Sequence, residues 1–181
     1  LSRIIADLLK PDGDHGQHII FLEAFIEAMM KLASNSLQKT LIKLQDAIHT
    51  DISTISVLTE EPTHDSRYMD IMVDLGGKKG IVIENKPWTN DQKEQLKDYA
   101  EDANERFSDA WVLIYLHGSG KAANEYTLPN KKELVSSGNY LDADYIYFLT
   151  SWLRICREDD RIKSKKMDFF VSDFISYIEQ T

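Results

Sequence analysis

The segments Arg67-Tyr68-Met69-Asp70-Ile71-Met72-Val73 and Ile81-Val82-Ile83-Glu84-Asn85-Lys86 decide the reading of this chain. Both are rich in β-branched and apolar residues, and Leu75-Gly76-Gly77-Lys78-Lys79-Gly80 between them is a glycine-rich turn signal, so they read as an antiparallel hairpin. Side chains alternate faces along a strand, which puts Glu84 and Lys86 on one face with Val82 and turns Ile81, Ile83 and Asn85 to the other. Asp70 on the first strand then comes beside Glu84 on the second. Two carboxylates and an ammonium converge on one patch, the pattern of a site for a hard divalent cation.

Outward from the hairpin, Ile52 to Glu60 is rich in β-branched residues and reads as a strand. Ser2 to Leu9 reads as a short helix stopped by Pro11-Asp12-Gly13-Asp14. His18 to Leu32 carries Leu22, Phe25, Ile26, Met29 and Ala33 at three- and four-residue steps, the stripe of an amphipathic helix. Gln38 to His49 suggests another. Past Lys86, Thr89 or Asn90 can cap a helix from Asp91 to Phe107, and Ala110 to His117, apolar at nearly every position, reads as a buried strand. The core order is α-β-β-β-α-β. Gly118 to Asp142 reads as a long irregular connection, Tyr145 to Leu149 as a last short strand, and Trp152 to Arg157 and Met167 to Ile178 as helices.

The chain has 181 residues, 43% of them hydrophobic, enough for one compact domain with a substantial core. It begins at Leu1 rather than methionine, and both ends read as boundaries of a longer chain. No apolar run approaches the roughly 20 residues of a membrane span. The single cysteine, Cys156, has no partner for an internal bridge, which fits a reducing, cytoplasmic setting. A net charge of −9 argues against coating nucleic acid by bulk electrostatics. It leaves room for a nuclease, because a divalent ion between acids supplies positive charge locally.

Oxygen-rich sites suit Mg2+ or Mn2+, which take one or two carboxylates and complete their shell with water and phosphate oxygens. Asp70 and Glu84 are the candidate metal ligands, the backbone carbonyl of Asn85 is a third, and Lys86 is placed to orient a water and offset charge at phosphorus. A solvated cross-strand ion cluster is the structural alternative. Gln95 and Tyr99, four residues apart, share a helix face that can look back at the carboxylates.

Asp70, then Glu84-Asn85-Lys86, then Gln95-Leu96-Lys97-Asp98-Tyr99 on that element order resemble the PD-(D/E)XK nuclease superfamily, and its RecB-like branch most of all. The stretch Leu8 to Gly16, followed by Phe21 to Phe25, is similar to a bacterial group within it. The resemblance covers residues 2 to 117 and departs from the family pattern at Met69, where a proline usually precedes the first acid. It implies a restriction-endonuclease-like fold with a central mixed sheet, and Mg2+-dependent hydrolysis of phosphodiester bonds in DNA, in defence or repair. Asp70 and Glu84 would hold metal, Lys86 would position the attacking water, and Gln95 and Tyr99 would support the site. It also implies an acid from an N-terminal helix, for which Glu23 is the candidate, with Glu27 and then Glu60 behind it.

Arg67 resembles an arginine of the same group and also suits a structural ion pair. Trp88 suits either base stacking or a hydrophobic lid. The five histidines lack zinc spacing, and His15-Gly16 fits the group's pattern without an evident mechanism. A non-catalytic module retaining the fold, binding nucleic acid or protein, is the competing functional class. A homodimer or a protein partner is compatible with either.

Overall fold

In the computed structural model, residues 1–88, 92–118 and 120–180 are described. The elements in order are α1 (Ser2–Leu9), α2 (Ile20–Leu32), α3 (Asn35–Ile48), β1 (Ser56–Pro62), β2 (Tyr68–Asp74), β3 (Lys79–Lys86), α4 (Gln95–Arg106), β4 (Ala110–His117), α5 (Lys131–Ser137), β5 (Tyr140–Asp144), α6 (Tyr145–Arg157) and α7 (Lys165–Glu179). The strands form one five-stranded mixed sheet in the order β1-β2-β3-β4-β5, flanked by helices, consistent with a restriction-endonuclease-like fold. β1, β2 and β3 run antiparallel, and β3, β4 and β5 run parallel.

The expected hairpin forms around Gly76 and Gly77, both at positive φ, with Ile71 opposite Ile83 and Asp74 opposite Gly80. Its two faces meet different layers. Ile71, Val73, Ile81, Ile83, Val112 and Ile114 join the buried residues of α1, α2, α3, α6 and α7 in the larger core. Met72, Val82 and Leu113 meet Leu96, Tyr99, Ala100 and Ala103 of α4 on the opposite face. Gly80 lets this second layer close, since a Cβ there would lie 2.4 Å from the Phe107 ring.

In the larger layer, Trp152 of α6 is fully buried and donates its indole N–H to the Phe21 carbonyl at 2.7 Å. Phe21 and Phe25 meet it edge-on. Cys156 is buried there, unpaired. His15 also belongs to this layer's scaffold: Nε2 bonds the Lys10 carbonyl at 2.9 Å, Nδ1 accepts the Gln17 N–H at 3.0 Å, and the ring meets Phe21 edge-on. Both ring nitrogens are occupied in holding the turn after α1, which gives His15 a structural reason. No described helix is long and apolar enough to cross a membrane.

Four expectations need correction. Residues 52–54 form a 3-10 turn before β1, because the Asp51 carboxylate accepts the Ser53 N–H at 3.0 Å and its carbonyl accepts the Thr54 hydroxyl. The stretch 118–142 holds α5 and β5, the former closed by Gly138 at φ 79°, where a Cβ would meet the Ser36 carbonyl at 2.5 Å. Residues 145–149 open α6 instead of forming a strand. Asp144 caps that helix by accepting the Tyr147 N–H at 3.0 Å, and Tyr145, Phe148, Leu149 and Trp152 then fall on one buried face. Asp91 and the expected caps Thr89 and Asn90 lie outside the described residues, but 92–94 are not helical: Glu94 stands at positive φ, and α4 starts at Gln95, later than expected.

Candidate active site

The described ladder between β2 and β3 ends at Ile71 opposite Ile83. One step further, a side chain replaces the backbone as acceptor: the Asn85 N–H donates to Asp70 Oδ2 at 2.8 Å. The strands splay there, and the gap is where Asp70 and Glu84 face one another. β3 continues in parallel register with β4, Glu84 beside Tyr115 and Lys86 beside His117, which holds the far wall in place.

Glu84 is 2% exposed. Its Oε1 accepts the Gln95 amide N–H at 2.9 Å and lies 3.5 Å from Lys86 Nζ, while its Oε2 is buried without a hydrogen bond of normal geometry, the Asp70 backbone N–H being near enough only to favour the ionised carboxylate. Gln95 orders the rest. Its Oε1 accepts from Lys86 Nζ, and its Nε2 donates to the Tyr99 hydroxyl at 2.7 Å, which in turn donates to the Tyr68 carbonyl at 2.6 Å. The amide therefore has one sense only, oxygen to the ammonium and nitrogen to the carboxylate and phenol. The chain from Lys86 through Gln95 and Tyr99 ties β3, α4 and the start of β2 together.

Burial is the main cause of an upward shift at both carboxylates. Glu84 is pushed up to about 8 by desolvation and then by the Asp70 charge, with Lys86 opposing. Asp70 is raised by burial against the lowering effects of the Asn85 N–H and Lys86. Burial likewise raises the Tyr99 phenol, so it remains a hydrogen-bond donor at any working pH.

Two mutually repelling, desolvated acids and an oxygen without a normal hydrogen bond fit a cation that would satisfy all three. Among the described residues, no group of three or more His, Cys, Asp or Glu forms a metal cage. Two carboxylates with an oxygen to spare are a donor set that a hard divalent ion could share with waters and substrate oxygens. Asn85 would contribute its backbone, because its side chain turns to the other face and its Nδ2 donates to Ser2 Oγ at 3.1 Å.

A model of the PD-(D/E)XK nuclease superfamily matches residues 1–176. The chain belongs to that superfamily. No curated protein and no solved structure matches it significantly. In this PD-(D/E)XK chain the fold brings together Asp70, Glu84, Lys86, Gln95 and Tyr99, and leaves Glu23 elsewhere. Glu23 bonds His49 at 3.1 Å and Glu27 bonds Arg161 at 2.8 Å, both from the helix α2 that packs on the opposite face of the sheet. Glu60 is nearer: it sits at positive φ on β1, 3.8 Å from Arg3, and its charge helps to raise Asp70.

Arg67 is a clamp in this PD-(D/E)XK site. Its Nε pairs with Asp98 at 2.6 Å, and its terminal nitrogens donate to Gln92 Oε1 at 3.0 Å and the Lys93 carbonyl at 2.8 Å, fixing the approach to α4. A second support comes from the segment after β4, which has no signal in the sequence. The Tyr126 and Thr127 carbonyls accept from Glu94 and Leu96 at 2.8 and 3.1 Å, holding the start of α4. Asp142 anchors that segment: it pairs with Lys131 and accepts the Ala123 N–H at 3.1 Å and the Tyr140 hydroxyl at 2.7 Å.

Proposed function

We propose that this chain is a metal-dependent nuclease, hydrolysing phosphodiester bonds of DNA with Mg2+ or Mn2+ held by Asp70, Glu84 and the Asn85 carbonyl. The observation that carries the reading is the buried Glu84 Oε2 without a normal hydrogen bond, close to Asp70 and two residues along β3 from a Lys86 whose ammonium Gln95 holds in place. A bound divalent ion would supply Lewis acidity at the phosphoryl oxygen and an acidified water. The residues supply the rest. Lys86, tethered between Gln95 and Glu84, orients the attacking water and offsets negative charge gathering at phosphorus. Gln95 and Tyr99 preorganise the pair, so that neither Lys86 nor Glu84 must be reoriented when substrate arrives.

Cleavage of linear and circular, single- and double-stranded DNA in Mg2+ or Mn2+, against a chelated control, tests this. Activity in metal that is lost in Asp70→Ala and Lys86→Ala, with both variants folded, is the expected result. A wild-type protein that cuts no form, and whose unfolding temperature does not respond to either ion, would overturn it.

A further inference from the structure

Three large aromatic side chains stand in solvent around this site. Tyr68, two residues before Asp70, is 62% exposed; Trp88, two residues after Lys86, is 56% exposed; and Tyr126, in the segment that holds α4, is 57% exposed. Two are fixed at the site by their own backbones, since the Tyr68 carbonyl takes the Tyr99 hydroxyl and the Tyr126 carbonyl takes the N–H of Glu94, next to Gln95. Trp88 follows Lys86 by chain connectivity. Single exposed hydrophobics are ordinary, but three exposed rings on the segments that border one polar site gain little for folding.

Most of the cations beside the site are already engaged, while Lys93 and Lys121 are exposed and in no ion pair among the described residues. Arg67 pairs with Asp98, Lys97 with Glu94 and Glu101, Lys131 with Asp142, and Arg3 with Glu60. Duplex DNA is held chiefly by many Lys and Arg contacts to phosphate, and a chain of net charge −9 with these cations committed offers few. Stacking of a base on an aromatic ring contributes about 1–3 kcal/mol and needs no charge, but requires a base free of its duplex. We propose that the site takes an unpaired strand of nucleic acid, its bases stacked on Tyr68, Trp88 and Tyr126 and its backbone passing Lys86. The inference rests on the nuclease reading of that site and names its substrate class.

Trp88 gives a direct signal, because the other tryptophans, Trp111 and Trp152, are 5% and 0% exposed. Wild-type protein in EDTA is titrated with oligothymidylate, oligouridylate and a blunt duplex, following tryptophan fluorescence and the anisotropy of labelled strands. Saturable quenching by a single strand is expected, with binding at least about tenfold tighter than duplex and weakened about 5- to 100-fold in each of Tyr68→Ala, Trp88→Ala and Tyr126→Ala. The two oligonucleotides separate DNA from RNA as the source of the strand. Duplex binding as tight as single-strand binding, or variants that bind the strand like wild type, would overturn the proposal. Metal-dependent duplex cleavage without single-strand binding removes this inference and keeps the nuclease. Aromatic-dependent strand binding with no metal-dependent cleavage does the reverse.

Discussion

Glu84 combines near-complete burial, an oxygen without a normal hydrogen bond and a neighbouring acid, and that combination sets the pH behaviour of the metal-free protein. Its folded-state pKa is raised from 4.5 to about 8, so between those values the folded protein holds a proton that the unfolded chain has lost. The stabilising contribution is therefore full below the unfolded value and disappears as pH rises through the folded one. Asp70, also raised, acts in the same direction. Urea unfolding in EDTA should show stability falling from pH 5 to pH 8 by on the order of 2–4 kcal/mol, with Glu84→Gln removing most of the slope and stabilising the protein at pH 8. A flat wild-type profile would contradict a buried Glu84 carboxylate held protonated by desolvation. Added Mg2+ or Mn2+ should reverse the trend, because binding requires the deprotonated acids and stabilises only the folded chain. Asp70→Ala should abolish that metal-induced stabilisation while leaving the fold intact, since Asp70 is partly exposed at the splay of the hairpin.

The site depends on where α4 begins, and Arg67 is the residue that joins β2 to that beginning. Arg67→Met should cost about 1–3 kcal/mol, because it leaves the partly buried Asp98 without its ion pair. It should also speed amide exchange at Leu96 and Lys97, whose N–H groups donate to the Thr127 carbonyl. Unchanged exchange there, with the same loss of stability, would confine Arg67 to a structural ion pair remote from Gln95. The elements around this clamp differ in how well the sequence announces them. The hairpin was legible because two short apolar segments flank a double-glycine turn, and that placed Asp70, Glu84 and Lys86 together, while Gln95 and Tyr99 were reached through their four-residue spacing and the family resemblance. The β5–α6 boundary was not, because Tyr145-Ile146-Tyr147-Phe148-Leu149 has strand composition while the deciding contact is the Asp144 cap. The support from Tyr126, Thr127 and Asp142 was invisible for another reason: carbonyls and a loop anchor carry no residue signature. Glu23 was a sound candidate on its helix, but the sheet separates α2 from the α4 face, and no periodicity within one element reveals on which side of a sheet it packs.

The two faces of the sheet divide stability from chemistry. The larger core, with Trp152, Phe21 and Phe25, lies on the face away from α4, while Glu84, Lys86, Gln95 and Tyr99 belong to the α4 face. Losses on one face should therefore reach the other only through global unfolding, since sites without shared partners behave nearly additively. Trp152→Ala should cost about 3–5 kcal/mol from its cavity, lowering the unfolding temperature of a chain this size by roughly 6–20 °C. Below that temperature its Mg2+ affinity should match wild type, and Trp152→Phe should keep the same affinity with a smaller loss. Tyr99→Phe should behave oppositely. It removes only the hydroxyl that links Gln95 to the Tyr68 carbonyl, a loss of about 1–2 kcal/mol, yet frees the amide that orients Lys86 and Glu84. Its strand cleavage should fall at least about tenfold with the fold retained, a loss of preorganisation rather than of stability. Thermal unfolding, metal titration by calorimetry and cleavage rates on these three variants decide between the alternatives. If Trp152→Phe lost metal affinity at a temperature where it is fully folded, the sheet would be transmitting strain between its faces, and the division would fail.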